Sequence, residues 1–327
     1  DIAAAFALGQ VWFKVPPSVK VVLKGRPGPL AQAKDIVLAM ARQLGAGGLL
    51  GYAAEITGEV LDGLSVADRI PIASMATEMG GIIALFEPND TVLDWFEATT
   101  GSRPAGIAAD PDARYEKTLE IDIDGLEPLI ARPGHPEDVV PVSEVAGRSV
   151  DSVFLGSCTN GRIEDLQTAA RILRGKQVAP HVVLKVVPAT RRVWEQALAE
   201  GLVADLMAAG ALIGNAGCAG CAAGQIGQNG PGEVTVSTGN RNYAGKQGKG
   251  EVYLASPATA AASAISGILT TENDLCEPRP LTLLAGDPVA PLPPATGGSE
   301  SAVDAKPTVL RGRVWLVDVA NIDTDMI

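Results

Sequence analysis

The sequence predicts an α/β fold, and three observations support this class. The chain has 327 residues, of which 46% are hydrophobic and only 4% aromatic, and it contains 37 glycines. Such a composition favours short turns and close packing of helices on sheets. Apolar segments of strand length alternate with segments of helical periodicity along the chain. A chain of this length can form two or three domains with separate cores.

Charge and hydropathy limit the classes of partner. The net charge of −12 argues against nucleic acid, which would favour a basic surface. No apolar run reaches the roughly 18 residues needed to span a membrane, and the chain begins at Asp1 without a basic, signal-like segment. We therefore expect a protein of the cytoplasm or of an organellar matrix. An anionic substrate would need a local basic pocket.

The first half of the chain predicts one α/β unit. A helix that begins with a capping box at Ser65 and Asp68 is expected to carry Ser74 and Glu78. A helical glutamate is most often exposed, but Glu78 follows apolar residues and precedes two glycines, which makes it a candidate site residue. The proline-rich residues 126–142 predict a linker between domains. Strands are predicted at residues 19–24, 82–86 and 115–123, and helices at residues 33–44 and 90–98.

In the second half, chemically active residues follow short apolar strands. Cys158 follows the first of these strands, Cys218 and Cys221 follow another, and Asn240 and Arg241 follow a third. Ligands of open α/β sheets bind at the carboxyl ends of the strands, so we expect these side chains to share one edge. The predicted strands cover residues 152–156, 182–187, 211–214 and 234–238, and the predicted helices cover residues 163–173, 190–200 and 257–266.

Three of the four cysteines lie in two short segments flanked by glycine or serine. A single C-x-x-C is more often half of a zinc site or a redox pair. Neither alternative fits well, because neither histidine is near a cysteine in sequence and a redox pair leaves Cys158 without a role. Three thiolates can instead bind an iron–sulfur cluster and leave one iron open. Cys276 lies in a polar, turn-like segment and is assigned no role.

Four motifs in this order resemble the signature of the aconitase superfamily, which includes aconitase, homoaconitase and 3-isopropylmalate dehydratase. The resemblance also extends to Glu55 and residues 72–78, and residues 312–325 are similar to the start of the family's swivelling domain. It therefore covers nearly the whole chain and indicates a fused form. The four motifs are Ser157–Asn160, Gly217-Cys218-x-x-Cys221, Asn240-Arg241-Asn242-Tyr243-x-Gly245 and Leu254-Ala255-Ser256-Pro257.

This resemblance implies consecutive three-layer αβα domains around an iron–sulfur cluster, followed by a linker to a swivelling domain. The family's Asp-Ser-His segment would precede this chain and its serine base would follow it, so we expect a piece of a longer enzyme. The expected parts are the end of a truncated N-terminal α/β domain at 1–16, an α/β domain at 17–125, an α/β domain with the cluster cysteines at 126–285, a linker at 286–307 and the start of the swivelling domain at 308–327.

The resemblance also implies roles for individual residues. Cys158, Cys218 and Cys221 would ligate a 4Fe–4S cluster with one open iron. The implied catalytic residues are Glu78, Asn240 and Arg241, and the implied substrate-binding residues are Ser74, Asn160, Asn240, Arg241 and Lys246. Most relatives carry arginine at the position of Lys246 and asparagine at that of Ser74, and arginine and lysine are not interchangeable at a carboxylate site.

The implied activity is a hydro-lyase reaction, the reversible dehydration of a hydroxy di- or tricarboxylate. Residues 161–166 resemble the 3-isopropylmalate dehydratase and homoaconitase branch, which makes a 3-isopropylmalate dehydratase-like enzyme the first expectation. Aconitate hydratase and homoaconitase are the alternatives, and a cluster-bearing regulatory or electron-transfer module is the alternative from another class. The expected partners are a small anionic hydroxycarboxylate and a swivelling domain in the same longer chain, with no nucleic acid and no membrane.

Overall fold

The computed structural model describes residues 2–275, and these form two β-sheets with helices packed against them. The predicted linker at 286–307, the predicted start of a swivelling domain at 308–327 and Cys276 lie outside the described residues. The strands are β1 (Ser18–Lys24), β2 (Ala53–Thr57), β3 (Ile83–Phe86), β4 (Lys117–Asp122), β5 (Leu129–Ala131), β6 (Val139–Pro141), β7 (Ser152–Gly156), β8 (Val183–Val187), β9 (Leu212–Ile213), β10 (Val234–Ser237) and β11 (Glu251–Ala255). The helices are α1 (Ile2–Leu8), α2 (Ala33–Leu44), α3 (Val66–Ser74), α4 (Asp90–Thr100), α5 (Val142–Val145), α6 (Ser157–Asn160), α7 (Ile163–Leu173), α8 (Arg191–Ala199), α9 (Leu202–Ala208) and α10 (Pro257–Ser266).

The first sheet contains four parallel strands in the order β3-β2-β1-β4. Alternate residues of β1, Val19, Val21 and Leu23, are buried in the same core cluster as Ile36 and Met40 of α2. This alternation is what a strand with one covered face requires. The predicted α/β class is thus confirmed in the first half of the chain.

The helix predicted to carry both Ser74 and Glu78 is shorter than expected. It begins as predicted, because Ser65 and Asp68 form the capping box, but it ends at Ser74. Glu78 lies in the following 3₁₀ turn, Met75–Met79, which Gly80 closes with φ 82°. A glycine adopts this left-handed conformation at little cost, and it ends the turn before β3.

The second sheet has seven strands in the order β6-β5-β11-β10-β7-β8-β9. Neighbouring strands from β11 to β9 run parallel, whereas β5 and β6 pair antiparallel at one edge. The prediction of a linker at 126–142 is therefore wrong in large part, because these residues supply both antiparallel strands. All three residues of β5 are buried. Pro141 lies in β6, the strand at the sheet edge, where proline is tolerated, and the prolines around both short strands explain why the segment looked irregular in sequence.

Helix α2 packs between the two sheets. In β11, Tyr253 and Ala255 face the core cluster that includes α7 and α10, while Val252 and Leu254 face the cluster that includes α2. The start of α2 also bonds to the second sheet and its helix α10. Asp35 Oδ1 accepts the Leu129 N–H at 2.8 Å, and Gln32 Oε1 accepts the Ala258 N–H at 2.9 Å. Both sheets are thus fixed to one helix. Within residues 2–275, no helix is long and apolar enough to cross a membrane.

Candidate active site

The three cysteines and the Asn240–Arg241 segment meet at one edge of the second sheet. Strands β7, β9 and β10 belong to the parallel part of this sheet, so their carboxyl ends lie on the same side. The structure therefore brings together the residues that follow these strands. One small cavity is lined by Phe154, Ser157, Cys158, Cys218, Cys221, Gly239, Asn240, Arg241 and Gln247.

A strained turn presents Cys158 at the end of β7. Gly156 has φ 144°, and a Cβ at this position would lie 2.1 Å from the carbonyl oxygen of Val187. Ser157 has φ 77°, a conformation that residues with a side chain rarely adopt. Strain of this kind is typical of functional sites, where the surrounding structure maintains it. The turn leaves the Cys158 side chain exposed towards the cavity.

The segment 217–228, here called the cysteine loop, packs against the Phe154 ring of β7. Cys218 and Cys221 flank a 3₁₀ turn in which Ala219 has φ 48°. Gly227 has φ 106°, and a Cβ there would lie 2.7 Å from the Phe154 ring. Only glycine permits this approach, so the loop backbone packs directly against the aromatic ring.

The three thiols influence one another electrostatically. The pKa of the Cys218 thiol is raised to about 11, mainly by burial, then by its hydrogen bond with Cys221 and by the charges of Cys221 and Cys158. The nearby Lys246 charge acts in the opposite direction. Three neighbouring thiolates therefore repel one another, and bound metal cations would offset this repulsion. This arrangement fits a metal group ligated by all three cysteines.

The cavity does not resemble a site for a single metal ion. Across residues 2–275, no three histidine, cysteine, aspartate or glutamate side chains are arranged to hold one ion. Iron–sulfur clusters are larger and are bound by cysteine thiolates, each to its own iron. The donor set, three thiols around a shared cavity, therefore fits a cluster better than a mononuclear zinc site.

Glu78 and Arg241 form a pair beside the cavity. Arg241 Nε donates to Glu78 Oε1 at 2.9 Å, and the Glu78 side chain is only 5% exposed, against 40% for Arg241. The hydrogen bond and charge of Glu78 raise the pKa of Arg241 above its usual value. Among contacts with the described residues, only Nε of the guanidinium donates a hydrogen bond, so its two terminal nitrogens remain available for a carboxylate.

Asn240 is held on three sides. Its Nδ2 donates to Ser74 Oγ at 3.1 Å, and its Oδ1 accepts from Thr159 Oγ1 at 3.0 Å and from Lys34 Nζ at 3.4 Å. Ser74 therefore contacts another predicted site residue and does not line the cavity itself. The amide of Asn240 is oriented by residues from both halves of the fold.

Lys34 is a site residue that the sequence did not reveal. It is completely buried, and its ammonium donates to the carbonyl oxygens of Gly239 at 2.7 Å and Thr238 at 3.3 Å. Burial lowers its pKa to about 7. One signal was present, because Lys34 and Asp35 are adjacent charges in a helix whose following residues are apolar on every side.

Two predicted substrate-binding residues lie next to the cavity without lining it. Asn160 is buried, its Nδ2 donates to Asp165 Oδ1 at 3.4 Å, and its Oδ1 is without a partner among the described residues. Burial raises the pKa of Asp165 to about 7. The Lys246 N–H donates to the Tyr243 carbonyl oxygen at 2.9 Å, and its charge reaches Cys218.

The parallel strands of the second sheet bring three cysteines, Asn240 and Arg241 to one edge, beside Glu78, and this arrangement fits the class of α/β proteins that bind a metal group through thiolates. Comparison with known proteins identifies the family. The model of the Aconitase family (aconitate hydratase) matches residues 1–267, and the chain belongs to this family. Membership implies an iron–sulfur cluster.

Three relatives show which members of the family this chain is similar to. The 3-isopropylmalate dehydratase large subunit of Nitratidesulfovibrio vulgaris is 44% identical over 84% of this chain and 66% of its own. The 3-isopropylmalate dehydratase large subunit 1 of Methanopyrus kandleri is 44% identical over 86% of this chain and 66% of its own. The homoaconitase large subunit of Thermus thermophilus is 45% identical over 85% and 66%. The chain thus spans 66% of the length of each of these relatives.

Proposed function

We propose that Cys158, Cys218 and Cys221 hold a 4Fe–4S cluster with one open iron. The most direct support is that three thiols converge on one cavity. Within the described residues, neither a fourth cysteine nor a histidine lines this cavity. When bound, such a cluster supplies a Lewis-acidic iron that polarises a substrate hydroxyl and carboxylate. A cluster built for electron transfer alone favours four protein ligands, so this donor set favours a substrate-binding centre.

The protein side chains around the cavity suit an anionic hydroxycarboxylate. The terminal nitrogens of Arg241 provide the planar, two-pronged geometry that a carboxylate prefers. Asn240 presents an amide whose orientation is fixed by Ser74, Thr159 and Lys34. Glu78 is buried and accepts a hydrogen bond from Arg241, which holds the guanidinium in place. This buried carboxylate beside the cavity is our candidate for proton exchange near the substrate. Lys246 and Asn160 complete the proposed substrate-binding set.

The proposed reaction is the reversible dehydration of a hydroxy di- or tricarboxylate, with 3-isopropylmalate as the first candidate. Relatives with 44% identity are named 3-isopropylmalate dehydratase, which supports this substrate. A relative with 45% identity is named homoaconitase, so homoaconitate-type substrates are the second candidate, and citrate with isocitrate the third. Sequence identity at this level does not separate these substrates, whereas direct turnover does.

The remaining catalytic groups are proposed to come from another polypeptide segment. The relatives are named large subunits, and this supports a separate small subunit as the partner. The alternative is a swivelling domain in the same longer chain, beginning at residues 308–327, that would supply these catalytic groups. Co-purification of the whole protein with and without a candidate small subunit distinguishes these arrangements.

Anaerobic reconstitution of the whole protein with iron and sulfide tests the proposal. We expect uptake of a cluster, followed by absorbance of an alkene product with 3-isopropylmalate, citrate or homocitrate. Cys158→Ser, Cys218→Ser and Cys221→Ser should each abolish stable uptake. An intact cluster that supports no turnover with any of these substrates, with the partner present, would contradict the hydro-lyase. Zinc without iron in anaerobically purified protein would contradict the cluster.

A further inference from the structure

Two glutamine side chains hold the cysteine loop on the sheet. Gln228 Nε2 donates to the carbonyl oxygens of Gly220 at 2.7 Å and Ala222 at 3.3 Å, on both sides of Cys221. Gln247 Nε2 donates to the carbonyl oxygen of Gly227 at 3.0 Å. Gln228 belongs to the loop itself, whereas Gln247 belongs to a separate segment. Gln247 therefore links the loop to the end of β10, while Lys185 of β8 also holds it by donating to the Gln228 carbonyl oxygen at 2.8 Å.

Gln247 also contacts the end of β10. Its Oε1 accepts a hydrogen bond from Ser237 Oγ at 2.8 Å, and the same Ser237 Oγ accepts the Gly239 N–H at 3.0 Å. A continuous chain of hydrogen bonds thus leads from the cysteine loop through Gln247 to the residue before Asn240. Gln247 thus adds a link between the wall with the cysteine loop and the wall with Asn240 and Arg241. The walls are also joined where Thr159, next to Cys158, donates to Asn240 Oδ1 at 3.0 Å.

The Gln247 amide is buried against the cysteine loop. Gln247 is 3% exposed, and a Cβ at Gly220 would lie 3.0 Å from Gln247 Nε2 and 3.3 Å from the Phe154 ring. Gly220, which lies between Cys218 and Cys221, is thus confined between an amide and an aromatic ring. Replacement of Gln247 by an apolar residue would leave the Gly227 carbonyl and the Ser237 hydroxyl without these partners in a buried setting, which is costly.

We propose that Gln247 is a positioning residue of the metal centre. It fixes the cysteine loop against the end of β10, so that Cys218 and Cys221 keep their place relative to Cys158 and to the Asn240–Arg241 wall. This role deepens the proposed function, because a centre bound by three thiols depends on how well those thiols are pre-arranged. It requires no contact between Gln247 and the substrate.

The test compares Gln247→Leu with Ser152→Ala in the whole, anaerobically reconstituted protein. Ser152 is a matched control, because its hydroxyl forms a buried 2.8 Å hydrogen bond with Thr235 in the same sheet and does not contact the cysteine loop. The first measurement is the rate at which a chelator removes iron, followed by absorbance. Since loss of buried hydrogen bonds of this kind changes equilibria by about 10- to 100-fold, we expect release to accelerate by about that factor in Gln247→Leu and to stay at the wild-type rate in the control.

A second measurement does not depend on the cluster. In metal-free protein, hydrogen exchange followed by mass spectrometry should show faster exchange of residues 217–228 in Gln247→Leu, with other segments unchanged and the control equal to wild type. Gln247→Asn, whose amide is one methylene too short, should give the same pattern and serves if the leucine variant does not fold. Equal exchange of this segment in all variants would overturn the proposal. If the wild type takes up no cluster, the proposed function fails while this exchange pattern still decides the role of Gln247.

Discussion

Replacement of Lys34 by methionine separates the stability of the fold from the order of the site. Methionine has a similar length and no charge, so Lys34→Met removes the ammonium and retains most of the packing. The wild-type ammonium is completely buried and contacts the carbonyl oxygens of Gly239 and Thr238, the amide of Asn240 and the sulfur of Met75. Its contacts are to neutral groups, so nothing in direct contact neutralises the charge.

The structure allows the competing effects to be weighed. Burial lowers the pKa of Lys34 from 10.5 to about 7, which corresponds to a cost of up to about 5 kcal/mol for the charged form in the folded protein. Methionine removes this cost but leaves the Gly239 carbonyl without its 2.7 Å donor, a loss of about 1–3 kcal/mol. We therefore expect Lys34→Met to be at least as stable as the wild type at pH 7, while the Gly239–Asn240 segment becomes less ordered.

The pH dependence gives the sign of the effect. A lysine with a lowered pKa binds fewer protons in the folded state than in the unfolded state between pH 7 and 10.5, so wild-type stability rises with pH in this window. The variant lacks this contribution, and its advantage should shrink from pH 7 towards pH 10. Urea unfolding of the metal-free protein at several pH values measures this difference, and hydrogen exchange reports the order of residues 238–241.

Asp35→Asn provides the matched control for Lys34→Met. Asp35 is equally buried in the same helical turn, but its carboxylate accepts the N–H groups of Gln32 and Leu129 and does not contact the site. Exchange at 238–241 should therefore remain at the wild-type level in Asp35→Asn. A Lys34→Met protein that is several kcal/mol less stable at pH 7, with the same pH dependence as the wild type, would refute the reasoning.

Changes at other positions probe the remaining features of the site. Arg241→Lys keeps the charge but loses the planar fork, and we expect about a 10-fold or greater loss of hydroxycarboxylate affinity, measured by perturbation of the cluster spectrum; unchanged affinity would exclude Arg241 as a carboxylate ligand. Burial raises the Asp165 pKa from 3.8 to about 7, so the wild type loses stability as the pH rises from 4 to 7. Asp165→Asn lacks this loss and should gain at most about 4 kcal/mol over the wild type in that window. The same dependence of unfolding free energy on pH in both proteins would contradict this. Ser157→Gly relieves the positive φ at the end of β7 and should raise the free energy of unfolding by about 1 kcal/mol, as measured by urea unfolding; a destabilised variant would show that the serine hydroxyl contributes more than the strain costs.

Much of the site's location follows from sequence, because a parallel sheet aligns the carboxyl ends of its strands. Cys158, Cys218 and Asn240 each follow a short apolar strand, and this pattern alone predicts a common edge. The helix at Ala33–Leu44 and the capping box at Ser65 were equally visible, since both depend on residues close in sequence. Strand β11, Glu251–Ala255, is apolar at its last four residues but is not among the predicted strands.

The supporting polar contacts were not predictable in the same way. Lys34 contacts residues about 200 positions later in the chain, and the Gln247 bond to Gly227 spans 20 residues. No periodicity records such pairs, because a buried lysine or glutamine looks like an exposed one in sequence. The short strands β5 and β6 were missed for a different reason, because three-residue strands close to prolines have no alternation long enough to detect.

These buried polar groups indicate how the fold divides its tasks. Lys34, Glu78 and Gln247 are each at most 6% exposed, and each bonds to a residue on the cavity wall or to the loop that carries the cysteines. A buried polar side chain contributes little net stability even when it is hydrogen-bonded, because its bonds in the folded protein replace bonds to water. Their presence is better explained by the site, which needs Asn240, Arg241 and the cysteine loop held in one arrangement before any ligand binds. Under the proposed function, the described part of the chain is a preformed binding surface that would orient a ligand for the groups of a partner segment.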